Sequence, residues 1–449
     1  MIAALKTGGD PAENTRILQQ CLDQGGTVRI DRPGIYDFEG GVTLGDHTAL
    51  ECGAGVFLRR TGDCMQRLTP FLSNKGLYDN SVNRNIRLEG VHLIVNGVDY
   101  KAMPLLPGMR GQVGFSGVRQ LVIRDFECHD LGETGYGILI CDFEDVLLEN
   151  LFIEGQKDGV HFARGSKFTI RHAKFRTFDD PIALNAFDYC TSNYRRGWIE
   201  DGLIEDCYDL DDRDTTGFFC RMLAGSWCDW QENMPFQNST LAVYDGKLYS
   251  ASVRPIERRT EPLRSKLPPP EQPFDPEQAV HAGWRLVQDH DGHYDAGCRR
   301  ITFRDIYLQK KRKVAFAFEL STGPWAVSVP EGLPIPVQED IIFDGIHSSS
   351  RVGVLLQLGA PVKNVRISNS AVGGDVLESL ALKGRERDYF PTDVTFCSTA
   401  FKGGAALLKG NFTDHIRLGL HACTAPDDAV LSFTGNARIE PGGLRIRKE

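Results

Sequence analysis

A short strand-like frame recurs along this chain, every 22 to 29 residues in its most regular runs, and it restricts the possible folds more than any other feature. The frame reads apolar, any, apolar, then a polar or charged pair, then a small or apolar residue. It stands at residues 86–91 (IRLEGV), 121–126 (LVIRDF), 146–151 (VLLENL) and 168–173 (FTIRHA). It returns at 301–306 (ITFRDI), 341–346 (IIFDGI), 365–370 (VRISNS) and 394–399 (VTFCST). The anchors Ile123, Leu148 and Ile170 are 25 and 22 residues apart, and Phe343, Ile367 and Phe396 are 24 and 29 apart. Each coil also holds a second strand, such as residues 137–140 (GILI) or 354–357 (VLLQ). Coils of this length stack as rungs roughly 4.8 Å apart. The regular Leu/Asn frame of leucine-rich repeats is missing, and the hairpin turns of a sandwich are mostly absent. The expectation is an all-β chain: a single-stranded, right-handed parallel β-helix, one domain over residues 1–449.

Composition agrees with this. The 47 Gly and only 6 Met suit a turn-rich β protein, and 41% apolar residues among 449 allow a long core. The net charge of −9 argues against a nucleic-acid partner. No stretch approaches the ~18 apolar residues of a membrane span. The start, MIAALKTGGDPAENTR, shows no secretory signal. A cytoplasmic location is therefore expected, with secretion only if a leader was removed. The twelve cysteines form no CxxC pair and are read as mostly reduced, with no zinc site. Oligomeric state is not legible.

Residues 9–36 read as a cap for the open end of a solenoid. Asn14 or Thr15 would start a helix with Ile17, Leu18, Cys21 and Leu22 on its apolar face. Gly25 and Gly26 stop it, and residues 27–30 (TVRI) alternate as a strand. The frame GD…T…LQ…GG.V…PG.Y resembles the amphipathic N-terminal cap of pectin-degrading β-helix proteins.

Residues 226–296 read as a long insertion. From Ile204 to Phe303 is a step of 99 residues with few repeat frames. A hairpin is expected over residues 241–249, with Asp245-Gly246 at its turn. The proline-rich stretch from Leu267 to Pro273 is expected to be extended or linker-like. Placed just after the coils that hold the aspartates, the insertion would wall or roof a site there. Its Trp227, Trp230 and Trp284 are candidates for stacking on sugar faces, or else core.

The chemistry is concentrated in residues 156–185, QKDGVHFARGSKFTIRHAKFRTFDDPIALN. Asp158 precedes one short apolar strand and Asp179-Asp180 precede another, 22 residues later counted from Asp158 to Asp180. In a β-helix, Val160 then stacks on Ile182 and Phe162 on Leu184, facing inward, while His161, Ala183 and Asn185 face out. Arg221 falls on the outer face of the next coil and Glu319 on that of a later one. Three carboxylates meeting at one corner repel and shift one another's pKa. A glycosidase needs such inequality, one carboxylic acid and one carboxylate.

QKDGVHF and TFDDPIALN resemble the Asn-Thr-Asp-Gly and Gly/Gln-Asp-Asp motifs of the polygalacturonase family of glycoside hydrolases, at the family's spacing. The resemblance implies an inverting hydrolase acting on an oligo- or polysaccharide without a metal or other cofactor. It implies that Asp179 is the general acid, with Asp158 and Asp180 holding and activating water. Inversion is expected with carboxyl groups about 6.5–9.5 Å apart. Two family motifs are missing. The coil that should carry Gly-His-Gly reads TTGFFCRMLAG, with Arg221 its strong polar group, and FAFELS stands where Arg-Ile-Lys would grip a uronate. Candidate substrate-binding residues are therefore His161, Asn185, Arg221 and Glu319, for a sugar other than galacturonate.

Two other readings share the scaffold. In a lyase or uronate epimerase the aspartates would bind Ca²⁺ and Arg221 would act as the base. In a non-catalytic carbohydrate-binding solenoid the carboxylates would have no chemical role. The acidic run at residues 209–214 lacks the Gly and distal Glu of a calcium loop and reads as a solvated turn.

Overall fold

The computed structural model describes residues 1–61, 69–95, 108–133, 135–188, 193–212, 215, 217–255, 261–275, 277–278, 280–321, 323, 326–348, 352–373, 375–379, 392–402, 406–412, 416–425, 430–435, 438–440 and 445–446. The chain is a right-handed parallel β-helix whose coils stack in register. The repeat frames form one row: Ile86, Leu121, Val146, Phe168, Gly202, Ile301, Ile341, Val365 and Val394, each paired in parallel with the next. Their apolar positions are inward and buried, forming one continuous core.

The frame itself has a geometric cause. Its fifth residue turns the corner in the left-handed region: Asp125, Asn150, His172, Asp305 and Asn369 have φ of 50–54°. The residue before the frame does the same, at Asn85, Gln120, Asp145, Lys167, Asp201, Arg300, Asp340 and Asn364. Asn and Asp tolerate this conformation better than other non-glycine residues, which explains the polar pair. The coil at Gly202 hides its frame for a packing reason. A Cβ there would lie 2.2 Å from Phe168 Cζ, so the row's apolar side chain is replaced by glycine.

The capping helix runs Pro11–Asp23, three to four residues earlier than the sequence suggested. Asp10 is its N-cap, accepting from the Ala12 N–H at 3.2 Å, and Pro11 occupies the first turn, where its missing N–H is harmless. Asn14 is instead buried, bonding the carbonyls of Lys6 and Asp37 at 2.9 and 3.1 Å, and Thr15 Oγ1 bonds the Glu39 carbonyl. Gly25 and Gly26 end the helix with φ of 72° and 73°.

Ile204 pairs directly with Phe303, so those 99 residues make a single coil carrying an excursion. The chain leaves after Cys220–Ser226 and returns at Asp295–Ala296, antiparallel to the strand it left. In between, Leu241–Tyr244 and Lys247–Arg254 form the expected hairpin, with Asp245 and Gly246 at positive φ, extended by His281–Asp289. The proline stretch is not a linker. It forms a 3₁₀ turn at Pro269–Glu271, and Pro273 bridges to Trp284. Trp227 and Trp284 are buried, Trp284 stacking on Phe236 at 5.4 Å, and Trp230 packs edge-on against Tyr244. Trp227 joins the main core, while Trp284 and Trp230 pack within the excursion's own apolar cluster. Among the described residues no helix is long and apolar enough to cross a membrane, and ten described cysteines carry free thiols. Cys64 and Cys190 lie outside the described residues.

Candidate active site

The strands Val160–Phe162, Ile182–Asn185 and Cys220–Ser226 are neighbours in the stack. Val160 pairs with Ile182 and Phe162 with Leu184, the register read from the sequence, and Ala183 pairs with Arg221. This register brings Asp158, Asp179 and Asp180 to one corner, with one carboxylate oxygen of each within 4.8 Å of the other two. Glycines permit the close approach. A Cβ on Gly159 would lie 2.7 Å from the Pro181 carbonyl oxygen, and one on Gly217 would lie 2.7 Å from the carbonyl carbon of Asp179.

The three carboxylates have unequal surroundings. Asp158 is buried, with Oδ2 3.1 Å from His161 Nδ1 and Oδ1 3.8 Å from Lys157 Nζ. Burial alone would raise its pKa, but Lys157 and the His161 hydrogen bond outweigh that and hold the carboxyl well below the ordinary range. Asp180 is equally buried; its Oδ1 accepts the Phe218 N–H at 2.8 Å, and Oδ2 lies 3.2 Å from Arg221 Nε. Burial, reinforced by the Asp158 charge, pushes it up to about 6 against the pull of Arg221 and the Phe218 N–H. Asp179 differs from both. Its side chain is 31% exposed and is held by the Lys157 ammonium.

The remaining candidates fall into two layers. The Arg221 side chain is 28% exposed. Burial opposes its charge, but Asp180, Asp188, Asp158 and Glu319 surround it and keep it firmly protonated. Glu319 stands in the column of Asn185 and Leu223, two residues past the Arg221 partner Ala317. Burial raises its carboxyl, opposed by Arg221 and by Gln357 Nε2, which donates to Oε1 at 3.0 Å. His161 and Asn185 do not line the open groove expected of outward-facing residues. Both are fully buried, because Tyr136 stacks on the imidazole at 4.5 Å and the outer face there carries its own apolar cluster with Met109, Leu139 and Tyr194. Asn185 Nδ2 donates to Asp188 at 3.0 Å, and His161 Nε2 lies 3.7 Å from the same oxygen. His161 thus joins Asp158 to Asp188, and Asn185 holds Asp188.

The sequence reading missed Lys157, Asp188 and Arg312. Lys157 had a signal: it stands in QKDG where the resembled motif has Thr. Asp188, three residues past Asn185, had none. Arg312 is tied to the first residue of the acidic run that reads as a solvated turn; Asp211 and Asp212 are exposed as expected, residues 213–214 lie outside the described residues, and Asp209 differs. Asp209 is fully buried, and the Arg312 guanidinium donates to it from Nε at 2.5 Å and Nη2 at 2.9 Å.

A cleft of about 590 Å³ adjoins the corner, lined in part by Glu133, Glu154, Gln156, Arg176 and Asp212. The Gln156 carbonyl accepts the Asp179 N–H at 3.2 Å, which joins the cleft wall to the aspartates. The excursion docks beyond the far end of the same strands. Asp291 pairs with Arg164 at 3.2 Å, Arg195 donates to the Val287 carbonyl at 2.6 Å, and the Gln288 side chain bonds the Arg196 backbone.

No protein-family model and no curated protein matches this chain. Solved structures do resemble it. The N-terminal fragment of bacteriophage phi29 gene product 12 aligns over 97% of this chain and 69% of its own, at 10% identity and a TM-score of 0.55, a likeness of fold. The polygalacturonase of Erwinia carotovora ssp. carotovora aligns over 96% and 95%, at 12% identity and 0.47. The endo-xylogalacturonan hydrolase of Aspergillus tubingensis aligns over 99% and 100%, at 9% identity and 0.47.

Proposed function

We propose that the chain is a glycoside hydrolase that cleaves an oligo- or polysaccharide with inversion, through Asp158, Asp179 and Asp180. The observation that carries this reading is the inequality of three carboxylates brought within 4.8 Å: one held ionised, one with its carboxyl raised to about 6, one partly exposed. Asp179, which solvent reaches, protonates the leaving oxygen. Asp158 and Asp180 hold the water and take its proton as it attacks the anomeric carbon. Lys157 holds Asp179 in the resting site, so substrate entry must break that contact before the acid is competent. Carboxylates this close are nearer together than the roughly 6.5–9.5 Å of inverting pairs, so this reading requires Asp179 to swing away from Asp158 and Asp180 when substrate binds.

Arg221 and Glu319 are the groups we assign to the sugar. His161 holds Asp158 in place from the buried side. The cleft carries Glu133, Glu154 and Asp212 against Arg176, which disfavours a polyanion and favours a sugar with little negative charge. Hydrolysis of a glycan panel by the wild type and Asp179→Asn tests the reading. Release of a sugar, lost in the variant, supports it; proton NMR of the first product anomer then decides inversion. Retention of configuration would remove the two-aspartate water site.

One observation favours a second reading. The carboxylate trio has the spacing of a cation site, as a Ca²⁺-dependent lyase or epimerase would need. Lys157 and Arg221 already contact it, so a cation would have to compete with both. Unsaturated products lost on addition of a chelator would establish that alternative.

A further inference from the structure

We propose that the buried Arg312–Asp209 pair is a positioning device that sets the divergence of the Asp179 and Asp180 carboxylates. For catalysis this rests on the hydrolase reading; the geometry does not. Arg312 and Asp209 are 103 residues apart, and both side chains are buried. The guanidinium makes a two-pronged contact with Asp209, at 2.5 and 2.9 Å. Its remaining N–H groups reach the turn that carries the aspartates: Nη1 donates to the Asp179 carbonyl at 3.3 Å and Nη2 to the Thr177 carbonyl at 3.3 Å. Thr177 Oγ1 donates to the same Asp179 carbonyl at 3.0 Å. Asp209 is itself anchored, its main-chain carbonyl accepting from the N–H groups of Gln309 and Lys310 at 3.0 and 3.1 Å.

The peptide joining Asp179 to Asp180 is thus gripped at its carbonyl by two donors. That peptide's plane determines where each carboxylate points, Asp179 toward solvent and Asp180 into the wall beside Arg221. Arginine suits the role because its planar fork serves a carboxylate and two carbonyls at once, which a lysine ammonium at the end of a flexible stem does not. A buried ion pair is a weak source of net stability but a precise fixture, because either partner alone is costly to leave unpaired.

The test uses the full chain with two variants. Arg312→Lys keeps the charge on Asp209 and loses the fork. The double variant Arg312→Met/Asp209→Leu removes both charges and leaves no orphan. The first readout needs no substrate: ¹³C titration of the Asp180 carboxyl, assigned with Asp180→Asn. Loosening the turn admits water to Asp180, so its midpoint should fall toward the ordinary carboxylate value by about half a unit or more in either folded variant. The second readout is kinetic, kcat down roughly tenfold with KM within about twofold. Ile346→Val, a core change elsewhere in the stack, should move neither. An unchanged midpoint in the folded variants overturns the proposal, as does an equal shift in Ile346→Val. Loss of the fold in both variants also overturns it, since the pair would then be a fold element. A shifted midpoint in the variants, together with a wild type that hydrolyses nothing, sinks the hydrolase reading and leaves the positioning role standing.

Discussion

Lys157 stands beside two of the three carboxylates at the corner. Its ammonium contacts Asp179 and lies 3.8 Å from Asp158, whose ionised form it favours. Replacing it by Met should raise the Asp158 carboxyl toward the ordinary range. Lys157 also helps to lower the Asp180 carboxyl, which sets the acid limb of the pH–rate profile, so that limb should move to higher pH in the variant, read from kcat/KM against pH. Asp179→Asn should lower kcat by about 10²- to 10⁴-fold. Because that side chain is partly exposed and its neighbours keep their partners, the melting temperature should change little. The Asp158 and Asp179-Asp180 spacing was legible in the sequence because it equals one coil. The burial of His161 and Asn185 was not, because alternation says which side of a strand a residue faces and nothing about what later packs over that side.

At the scale of the element, the site depends on coils approaching closely where carboxylates would otherwise hold them apart. Gly217 faces the Asp179 backbone, and a methyl group there would lie 2.7 Å from its carbonyl carbon and 2.8 Å from its Cα. Gly217→Ala should therefore displace the acid's turn. We expect an overpacking cost of about 1–3 kcal/mol by denaturant unfolding. A roughly tenfold or greater fall in kcat should accompany it. A similar destabilisation without the kinetic loss would show that the turn tolerates the shift. The helix cap is a simpler case. Asp10→Ala removes the acceptor for the Ala12 N–H and should cost about 0.5–2 kcal/mol. The sequence reading placed that cap too late because it followed the apolar period, whereas a prolyl N1 preceded by an acceptor starts the helix before any apolar residue is needed.

The whole molecule should register the corner in its pH dependence. The Asp180 carboxyl is raised to about 6 from an ordinary 3.8, so between those values the folded state binds more protons than the unfolded one. Stability from this group is therefore greatest below the lower value and declines as pH rises toward 6. Asp158 acts with the opposite sign: its depressed carboxyl contributes above the ordinary value, and that contribution is lost as pH falls below it. Denaturant unfolding of Asp180→Asn should flatten the decline between about pH 4 and 6 relative to wild type, and leave the acid-side loss in place. An unaltered slope would mean that Asp180 titrates normally in the folded protein.

The parallel stack, its coil length and the register of the aspartates were determined by the sequence alone. They follow from local rules, apolar alternation and left-handed corners at Asn and Asp, repeated until only one stacking satisfies them all. The tertiary structure decided which of those residues solvent reaches, which carboxylate is held ionised, and that Asp209 is a buried partner of Arg312 instead of part of a solvated turn. Those outcomes depend on contacts between residues far apart in the chain. Charge and burial are properties of the packed surroundings, and no short stretch of sequence contains them.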